Sequence, residues 1–400
     1  MNISQDILLK LLRCALFGKE EPIDNPQIQW CDVFAEAKAQ AVTALALEGA
    51  VLLHAPISEQ VMESWRCAAL QSIIAYEHLA ASQDHLVRSL NDAAVSILKG
   101  MSVARYYPRP ELRTMGDIDF LVSKGQYEVV VDRMFAAGYK EDSCSRGKNP
   151  HVFYHNGVRF EKHEYMNGLP ANLIGEELTS FIQAGLEHVH VCEADGHQFP
   201  VLPAAQQGLT LLLHMTQHIQ CSGMGLRQFC DWALYIVEET PIRLQDDLEC
   251  ILKKSGLYHF AQIVTQLAMV YLGLPETTAP WAVDADKETC KMLMEDLLCA
   301  GNMGIKNREF YRGRQLIAER YDGKKMPGLI RIFKNLEWIG IREWKAVQKH
   351  PYLKMVAWGY WPIQYLRKVH HGERSLFALP SMLRGMHKSR RLIDTLQLYR

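Results

Sequence analysis

The stretch ILKGMSVARYYPRPELRTMGDIDFLV, residues 97–122, decides the fold because it sets two aspartates, Asp117 and Asp119, into an apolar run. Residues i and i+2 of a strand share one face, so both carboxylates project together while Ile118 and Phe120 enter the core. Two adjacent carboxylates repel each other, and a divalent cation removes that conflict. Mg²⁺ prefers such oxygen ligands. The stretch therefore predicts a strand with a metal site, and a solvated aspartate pair at a strand edge is the alternative.

The residues upstream of this strand suit an anionic ligand. Lys99 and Gly100 end a predicted strand, and the segment from Gly100 to Ser102 opens a predicted helix whose first backbone N–H groups can bind phosphate. Arg113 adds positive charge nearby. Lys99, Gly100, Ser102 and Arg113 are therefore candidate phosphate-binding residues.

A second acidic strand is predicted downstream, in VRFEKHEYM at residues 158–166. Glu161 and His163 are two residues apart and share a face. If this strand lies beside the GDIDF strand, Glu161 becomes a third carboxylate that activates an attacking hydroxyl or completes a second metal site. The alternative is an exposed glutamate without a catalytic role.

The pattern of apolar residues divides the chain of 400 residues into three segments. Residues 1–92 repeat apolar residues at helical spacing, and the helical pattern returns over residues 203–400. Between them, residues 93–202 contain short β-branched or aromatic runs bounded by Gly, Pro and Asn, with one helix that ends at Gly138. We expect an α+β fold: a small mixed sheet in a catalytic core, flanked by N-terminal and C-terminal helical segments.

Composition and charge limit the class of protein. The chain is 48% hydrophobic and 22% charged, as is usual for a globular protein, and it lacks a run of about 18 uncharged apolar residues. Its ten cysteines form no CxxC pair, which favours buried thiols in a reducing compartment. We therefore expect a cytoplasmic protein without a transmembrane segment.

Four features follow one another along the chain: the run LKG, the run YYPRPELRTMGDIDFLV, a predicted helix that ends in AGY, and an acidic strand with a following histidine. This arrangement resembles the nucleotidyltransferase superfamily that shares the DNA polymerase β-type fold. It most resembles the bacterial group described as uncharacterised nucleotidyltransferases. The similarity covers residues 95–165, and the two histidines followed by Arg227 and Asp231 on predicted helices extend it to about residue 240.

The resemblance implies transfer of a nucleoside monophosphate from a nucleoside triphosphate, such as ATP, to an acceptor hydroxyl or phosphate, with release of pyrophosphate. Two Mg²⁺ ions would assist. By this resemblance Asp117, Asp119 and Glu161 are the metal-binding and catalytic residues, and the nucleotide-binding residues are Lys99, Gly100, Ser102 and Arg113. The sequence departs from the superfamily in its single glycine before Met101, in the 16 residues between Gly100 and Asp117, and in a glutamate at the third position.

Some neighbouring residues are weaker candidates. His163, His214 and Arg227 are predicted to line the pocket. His214 and His218 have the spacing of a helical zinc pair, although pocket-lining or core histidines are the favoured interpretation. Arg227 and Asp231, four residues apart, are predicted to form a helical ion pair.

The segment from residue 306 to residue 400 is basic, with 21 Lys and Arg against 7 Asp and Glu. This basic tail suggests an anionic partner. RNA, an anionic membrane surface and an ordinary amphipathic face that covers the core are three alternatives.

The acceptor of the reaction is open among RNA, a sugar, a protein and a small molecule. Two other functions are considered: a non-catalytic nucleotide-binding or interaction module, and a toxin-like enzyme that modifies tRNA.

Overall fold

The computed structural model describes residues 1–240, 244–318 and 328–400. Helices make up most of these residues, and short 3₁₀ turns connect several of them. The α-helices are α1 (Ile3–Phe17), α2 (Trp30–Ala39), α3 (Thr43–Leu52), α4 (Glu59–Ser89), α5 (Met101–Ala104), α6 (Tyr127–Ala136), α7 (Leu173–Ala184), α8 (Ala204–Cys221), α9 (Leu226–Glu239), α10 (Asp246–Ser255), α11 (Tyr258–Leu272), α12 (Lys287–Ala300), α13 (Arg308–Arg312), α14 (Gly328–Glu343), α15 (Lys345–Lys349), α16 (Tyr360–His370) and α17 (Leu379–Leu396).

The strands form two small sheets between α4 and α8. The main sheet has the order β1-β2-β5-β4-β3, in which β2 and β5 run parallel and the other neighbours run antiparallel; β6 and β7 form a separate hairpin. The strands are β1 (Val95–Ile97), β2 (Ile118–Val122), β3 (Lys140–Glu141), β4 (His151–His155), β5 (Val158–His163), β6 (His190–Ala194) and β7 (His197–Val201). This combination of helices with a small mixed sheet agrees with the predicted α+β class.

The register between β2 and β5 brings the acidic residues together. Asp119 lies opposite Glu161, and Leu121 lies opposite His163. Ile118 and Phe120 are buried in the hydrophobic cluster around the sheet, as their alternation with the two aspartates predicts. The prediction that the acidic strand at residues 158–163 lies beside the GDIDF strand is therefore confirmed.

A tight turn fixes the position of β5 relative to β4. His155 pairs with Val158, so Asn156 and Gly157 alone connect the two strands. Both residues have positive φ angles, 47° and 77°, which is the conformation of a type I′ turn. Asn and Gly are the residues that adopt this turn most readily, so the local sequence itself specifies the hairpin.

The first and last helices of the chain share one hydrophobic core. A single cluster includes Leu12 of α1, Leu45 of α3, Leu212 of α8, Leu267 of α11 and Leu396 of α17. Helices from the two ends of the chain are therefore packed around common apolar residues. The long N-terminal helical segment buries its apolar face against the helices that follow the sheet.

The start of α5 and the end of α6 are each marked by a glycine in the sequence. Gly100 has a φ of 69° and precedes α5, which confirms the predicted helix start. A methyl group at Gly100 would lie 3.1 Å from the Cε atom of Met115, so a side chain there would also crowd its neighbour. The helix α6 ends at Ala136, and Gly138 follows it with a φ of 86°, close to the predicted end.

The C-terminal helices expose several large apolar side chains. Leu329, Met355 and Phe377 are 84%, 84% and 95% exposed. In the three described ranges of the chain, none of the helices is both long enough and apolar enough to span a membrane.

Candidate active site

The carboxylates lie close together where the parallel pairing of β2 with β5 begins. Asp117 directly precedes β2 and Asp119 is its second residue. Glu161 and His163 project from the same face of β5, while Lys162 between them lies against the ring of Tyr127. Parallel pairing of the two strands therefore places all four polar side chains on one face of the sheet.

Asp119 is the most tightly held of these groups. Its side chain is 2% exposed, and its Oδ1 atom lies 2.8 Å from Nζ of Lys99 and 2.9 Å from Nε2 of His163. Burial alone would raise the pKa of Asp119, but the charge of Lys99 and the hydrogen bond from His163 together hold it well below its usual range. Asp119 is therefore an anion at any pH near neutrality.

Asp117 has the opposite electrostatic setting. Burial, together with the charges of Asp119 and Glu161, raises its pKa to about 6, although Lys99 and Arg227 oppose the shift. The repulsion from Asp119 and Glu161 that contributes to this shift is relieved when Asp117 takes up a proton or a metal ion.

The side-chain atoms that could act as metal ligands here suit a divalent cation. Ligand atoms of Asp119, Glu161 and His163 all lie within 4.8 Å of one another, and Asp117 lines the same pocket. The Nδ1 atom of His163 is buried and has no hydrogen-bond partner in the described part of the chain. Histidines that bind metal usually donate from their second nitrogen to a partner, so His163 fits better as a donor to Asp119 than as a ligand. The carboxylates fit a hard cation such as Mg²⁺.

These groups line a pocket of about 300 Å³. The structure brings together nine of the residues expected from the sequence, namely Lys99, Gly100, Arg113, Asp117, Asp119, Glu161, His163, His214 and Arg227. Ser102 is the exception. Its side chain is fully buried outside the pocket, where its hydroxyl accepts a hydrogen bond of 3.1 Å from Gln207, because α5 turns that face toward α8.

Arg113 is held by a partner that the sequence does not reveal. Its Nε and Nη2 atoms each donate to Asp231 at 2.8 Å, and the hydroxyl of Tyr107 donates to the same carboxylate at 2.8 Å. Both charged side chains are 4% exposed. The expected ion pair between Arg227 and Asp231 is wrong, since Asp231 faces Arg113 and Arg227 instead donates to the carbonyl of Thr114 at 3.0 Å.

The wall formed by α8 and α9 supplies further polar groups. His214 and His218 contact each other through their Nε2 atoms at 2.8 Å, and His214 lies 3.4 Å from Nζ of Lys99. Burial and the nearby cations lower the pKa of both rings, that of His218 to about 3, so both are neutral. The Nε atom of Arg227 is buried and has no hydrogen-bond partner among the residues that the structure describes.

Three polar residues of the lining were not expected from the sequence. Arg159 forms an ion pair with Glu161 at 2.5 Å, and Asn167 and Gln217 complete the wall. Arg159 could have been found, because it precedes Glu161 by two positions on the same strand face. Asn167 lies in the loop that follows β5 and Gln217 in α8, and their residue types carry no signal for this pocket.

The raised pKa of Asp117 predicts that Mg²⁺ binds more tightly at about pH 7.5 than at about pH 5.5. Below pH 6 the metal must displace a proton from Asp117, whereas above it the carboxylate is already free. This one proton accounts for a roughly fourfold change in affinity, and protonation of His163, whose pKa is raised, acts in the same direction. Calorimetric titration with Mg²⁺ at both pH values measures the effect. The Asp117→Asn protein should show a smaller pH dependence, and an unchanged one would contradict the assignment.

Carboxylates that share one face of a sheet and line a pocket together with cations suit the transfer of phosphoryl groups with the help of metal ions. The sequence profile of the uncharacterised nucleotidyltransferase family matches residues 26–273. The chain belongs to this family. No curated protein and no solved structure matches the chain. The matched range includes every pocket residue expected from the sequence and ends before α14.

Proposed function

We propose that this protein is a metal-dependent nucleotidyltransferase with a core of the DNA polymerase β type. It transfers a nucleoside monophosphate from a nucleoside triphosphate to an acceptor hydroxyl or phosphate and releases pyrophosphate. The observation that carries the proposal is the parallel pairing of β2 with β5, which places Asp117, Asp119 and Glu161 in one pocket with Lys99 and Arg227.

Asp117, Asp119 and Glu161 are the residues that would hold the divalent cations, most simply two Mg²⁺ ions. When bound, such ions neutralise the charge of the triphosphate and of the pyrophosphate that leaves. Asp119 is oriented for this role before any ligand arrives, because Lys99 and His163 fix its carboxylate from two sides. His163 is therefore a positioning residue in the proposal.

The cations of the pocket bind the triphosphate. Lys99 lies beside Asp119 and can reach an anionic ligand there, and Arg227 lines the same pocket. Arg113 does not take this role directly, because Asp231 occupies its guanidinium from two positions. Arg113 instead holds α9, and with it Arg227, against the segment that leads into β2.

The reaction exchanges one phosphorus–oxygen bond for another. The acceptor oxygen forms a bond to the α-phosphorus, and the bond from the α-phosphorus to the oxygen of the β-phosphate breaks, so that pyrophosphate leaves with that oxygen. The proton of an acceptor hydroxyl passes to Glu161, which lies at the solvent side of the carboxylate group. Arg159 then stabilises the anionic form of Glu161 between turnovers.

Calorimetric titration with ATP, GTP, CTP and UTP, with and without Mg²⁺, tests the proposal. We expect Mg²⁺-dependent binding of at least one nucleotide and its loss in the double variant Asp117→Asn/Asp119→Asn. Asp132→Asn is the matched control, because this aspartate is exposed on α6 away from the pocket. Failure of every nucleotide to bind would contradict the proposal. Binding without any turnover would support the non-catalytic nucleotide-binding module instead.

A further inference from the structure

A second and larger cavity opens beside the carboxylate pocket. It has a volume of about 840 Å³, within the range of sites that bind small molecules. Met166 and Asn167 line both this cavity and the carboxylate pocket. Both residues follow β5, the strand that carries Glu161. A molecule bound in the cavity can therefore extend one group past Asn167 toward the carboxylates.

The cavity is enclosed by elements that are distant in sequence. The first turns of α7 form one wall, and Trp338 and Arg342 of α14 form the other. Two contacts join α14 to the segment before β4: Nη2 of Arg342 donates to the carbonyl of Asn149 at 3.1 Å, and Nζ of Lys148 lies 3.3 Å from Glu343. The wall formed by α14 lies outside the range matched by the family profile.

The lining has the charge and shape for an anionic, hydroxylated ligand. Its cations are Lys124, Lys148 and Arg342, and Glu176 is the carboxylate of the lining. Glu343 lies beside the cavity, 3.3 Å from Nζ of Lys148 and 3.6 Å from Nε of Arg342, so a bound phosphate would replace its carboxylate beside these two cations. The rings of Tyr165 and Trp338 offer flat apolar faces, and the guanidinium of Arg342 lies 5.1 Å from the ring centroid of Trp338. Hydroxyl groups of Thr179 and Ser180 and amide side chains of Asn149, Asn167 and Asn172 also line the cavity. Amides can hydrogen-bond hydroxyl groups in either direction, although that of Asn149 is engaged by Tyr165 and Glu164.

We infer that this cavity binds the acceptor, and that the acceptor is a small phosphorylated polyol of the sugar phosphate class. The inference rests on the proposed function. The phosphate of the acceptor lies against Lys148 and Arg342, and a hydroxyl at the other end of the molecule extends over Met166 toward Glu161. That hydroxyl oxygen attacks the α-phosphorus of the nucleotide, Glu161 takes its proton, and pyrophosphate leaves. The product carries a new phosphodiester between the acceptor and the nucleoside.

Binding of phosphorylated and unphosphorylated pairs tests this inference. The wild-type protein is titrated calorimetrically with ribose 5-phosphate, glucose 6-phosphate and glycerol 3-phosphate, and with ribose, glucose and glycerol as their counterparts. We expect at least one phosphate ester to bind and its counterpart not to bind. Arg342→Gln should raise the Kd of that ester roughly 10-fold, because one charge-assisted hydrogen bond is lost. Arg367→Gln, an exposed change on α16 outside the cavity, is the control and should leave the Kd unchanged.

Two control measurements distinguish a loss of acceptor binding from a loss of folding and from a loss of nucleotide binding. Because Arg342 also anchors α14, Lys148→Gln serves as a second variant, and thermal melting shows that both variants are folded. An unchanged Kd in both folded variants, or no binding of any of the three esters, overturns the inference. Binding of an RNA oligonucleotide in place of the esters also overturns it. Titration with ATP and Mg²⁺ on the same samples shows whether the nucleotide site itself is intact, which distinguishes this failure from failure of the proposed function.

Discussion

Replacing Asp119 with asparagine is expected to lower the rate of nucleotide transfer at least about 10³-fold, which corresponds to about 4 kcal/mol of transition-state stabilisation. Asparagine keeps the size of the side chain but removes the charge that the cations of the reaction require. It also leaves Lys99 beside a neutral amide, so the ammonium no longer has its partner at 2.8 Å. Release of pyrophosphate from the preferred nucleotide, measured in single turnovers, reports the rate.

The same change must be separated from a loss of folding. Asp119 is buried, so thermal melting of Asp119→Asn accompanies the rate measurement. Asp117→Asn is the companion variant, because Asp117 is less buried and lies before the strand begins. Asp132→Asn on the exposed face of α6 controls for the loss of one carboxylate. A folded Asp119→Asn protein that consumes nucleotide at the wild-type rate would remove the nucleotidyltransferase proposal.

Removing the carboxylate of Asp231 is expected to destabilise the protein by about 3–5 kcal/mol. The Asp231→Ala change leaves the guanidinium of Arg113 buried at 4% exposure without its two hydrogen bonds, and it deprives Tyr107 of its acceptor. The cost comes from an uncompensated buried charge rather than from the loss of a favourable pair. Chemical denaturation by urea, followed by circular dichroism, measures the free energy of unfolding.

An exposed ion pair provides the comparison for Asp231. Glu177 lies 3.2 Å from Lys254, but both side chains are about half exposed, so Glu177→Ala should change the free energy of unfolding by less than about 1 kcal/mol. The double variant Arg113→Met/Asp231→Leu should recover part of the loss, because it removes both charges together. Equal effects of Asp231→Ala and Glu177→Ala would contradict the role assigned to the buried pair.

Local patterns in the sequence were sufficient to predict the parts of the site that depend on strand geometry. The two-residue spacing of Asp117 and Asp119, and again of Glu161 and His163, predicts which side chains share a face, and the structure pairs the two strands as expected. The turn at Gly100 was also predictable, since its φ of 69° is a conformation that glycine adopts without strain. The shared strand face of each residue pair and the turn at Gly100 each depend on residues that are close together along the chain.

The features that the sequence did not reveal depend on contacts between distant segments. Asp231 is 118 positions from Arg113, and nothing in either local sequence favours that pair over the expected pair with Arg227. The burial of Ser102 depends on how α5 packs against Gln207 in α8. The wall that α14 adds to the larger cavity likewise depends on tertiary packing, which spacing and composition do not encode.

The two-residue turn at Asn156 and Gly157 determines how the chain can change length during evolution. Residue alternation along β5 means that one inserted or deleted residue between the turn and Glu161 would exchange the two faces of the strand. Lys162 would then project toward Asp117 and Asp119, and the carboxylate of Glu161 would be forced under the ring of Tyr127. A single-codon insertion or deletion in this hairpin would therefore abolish the site while leaving every catalytic residue type in place.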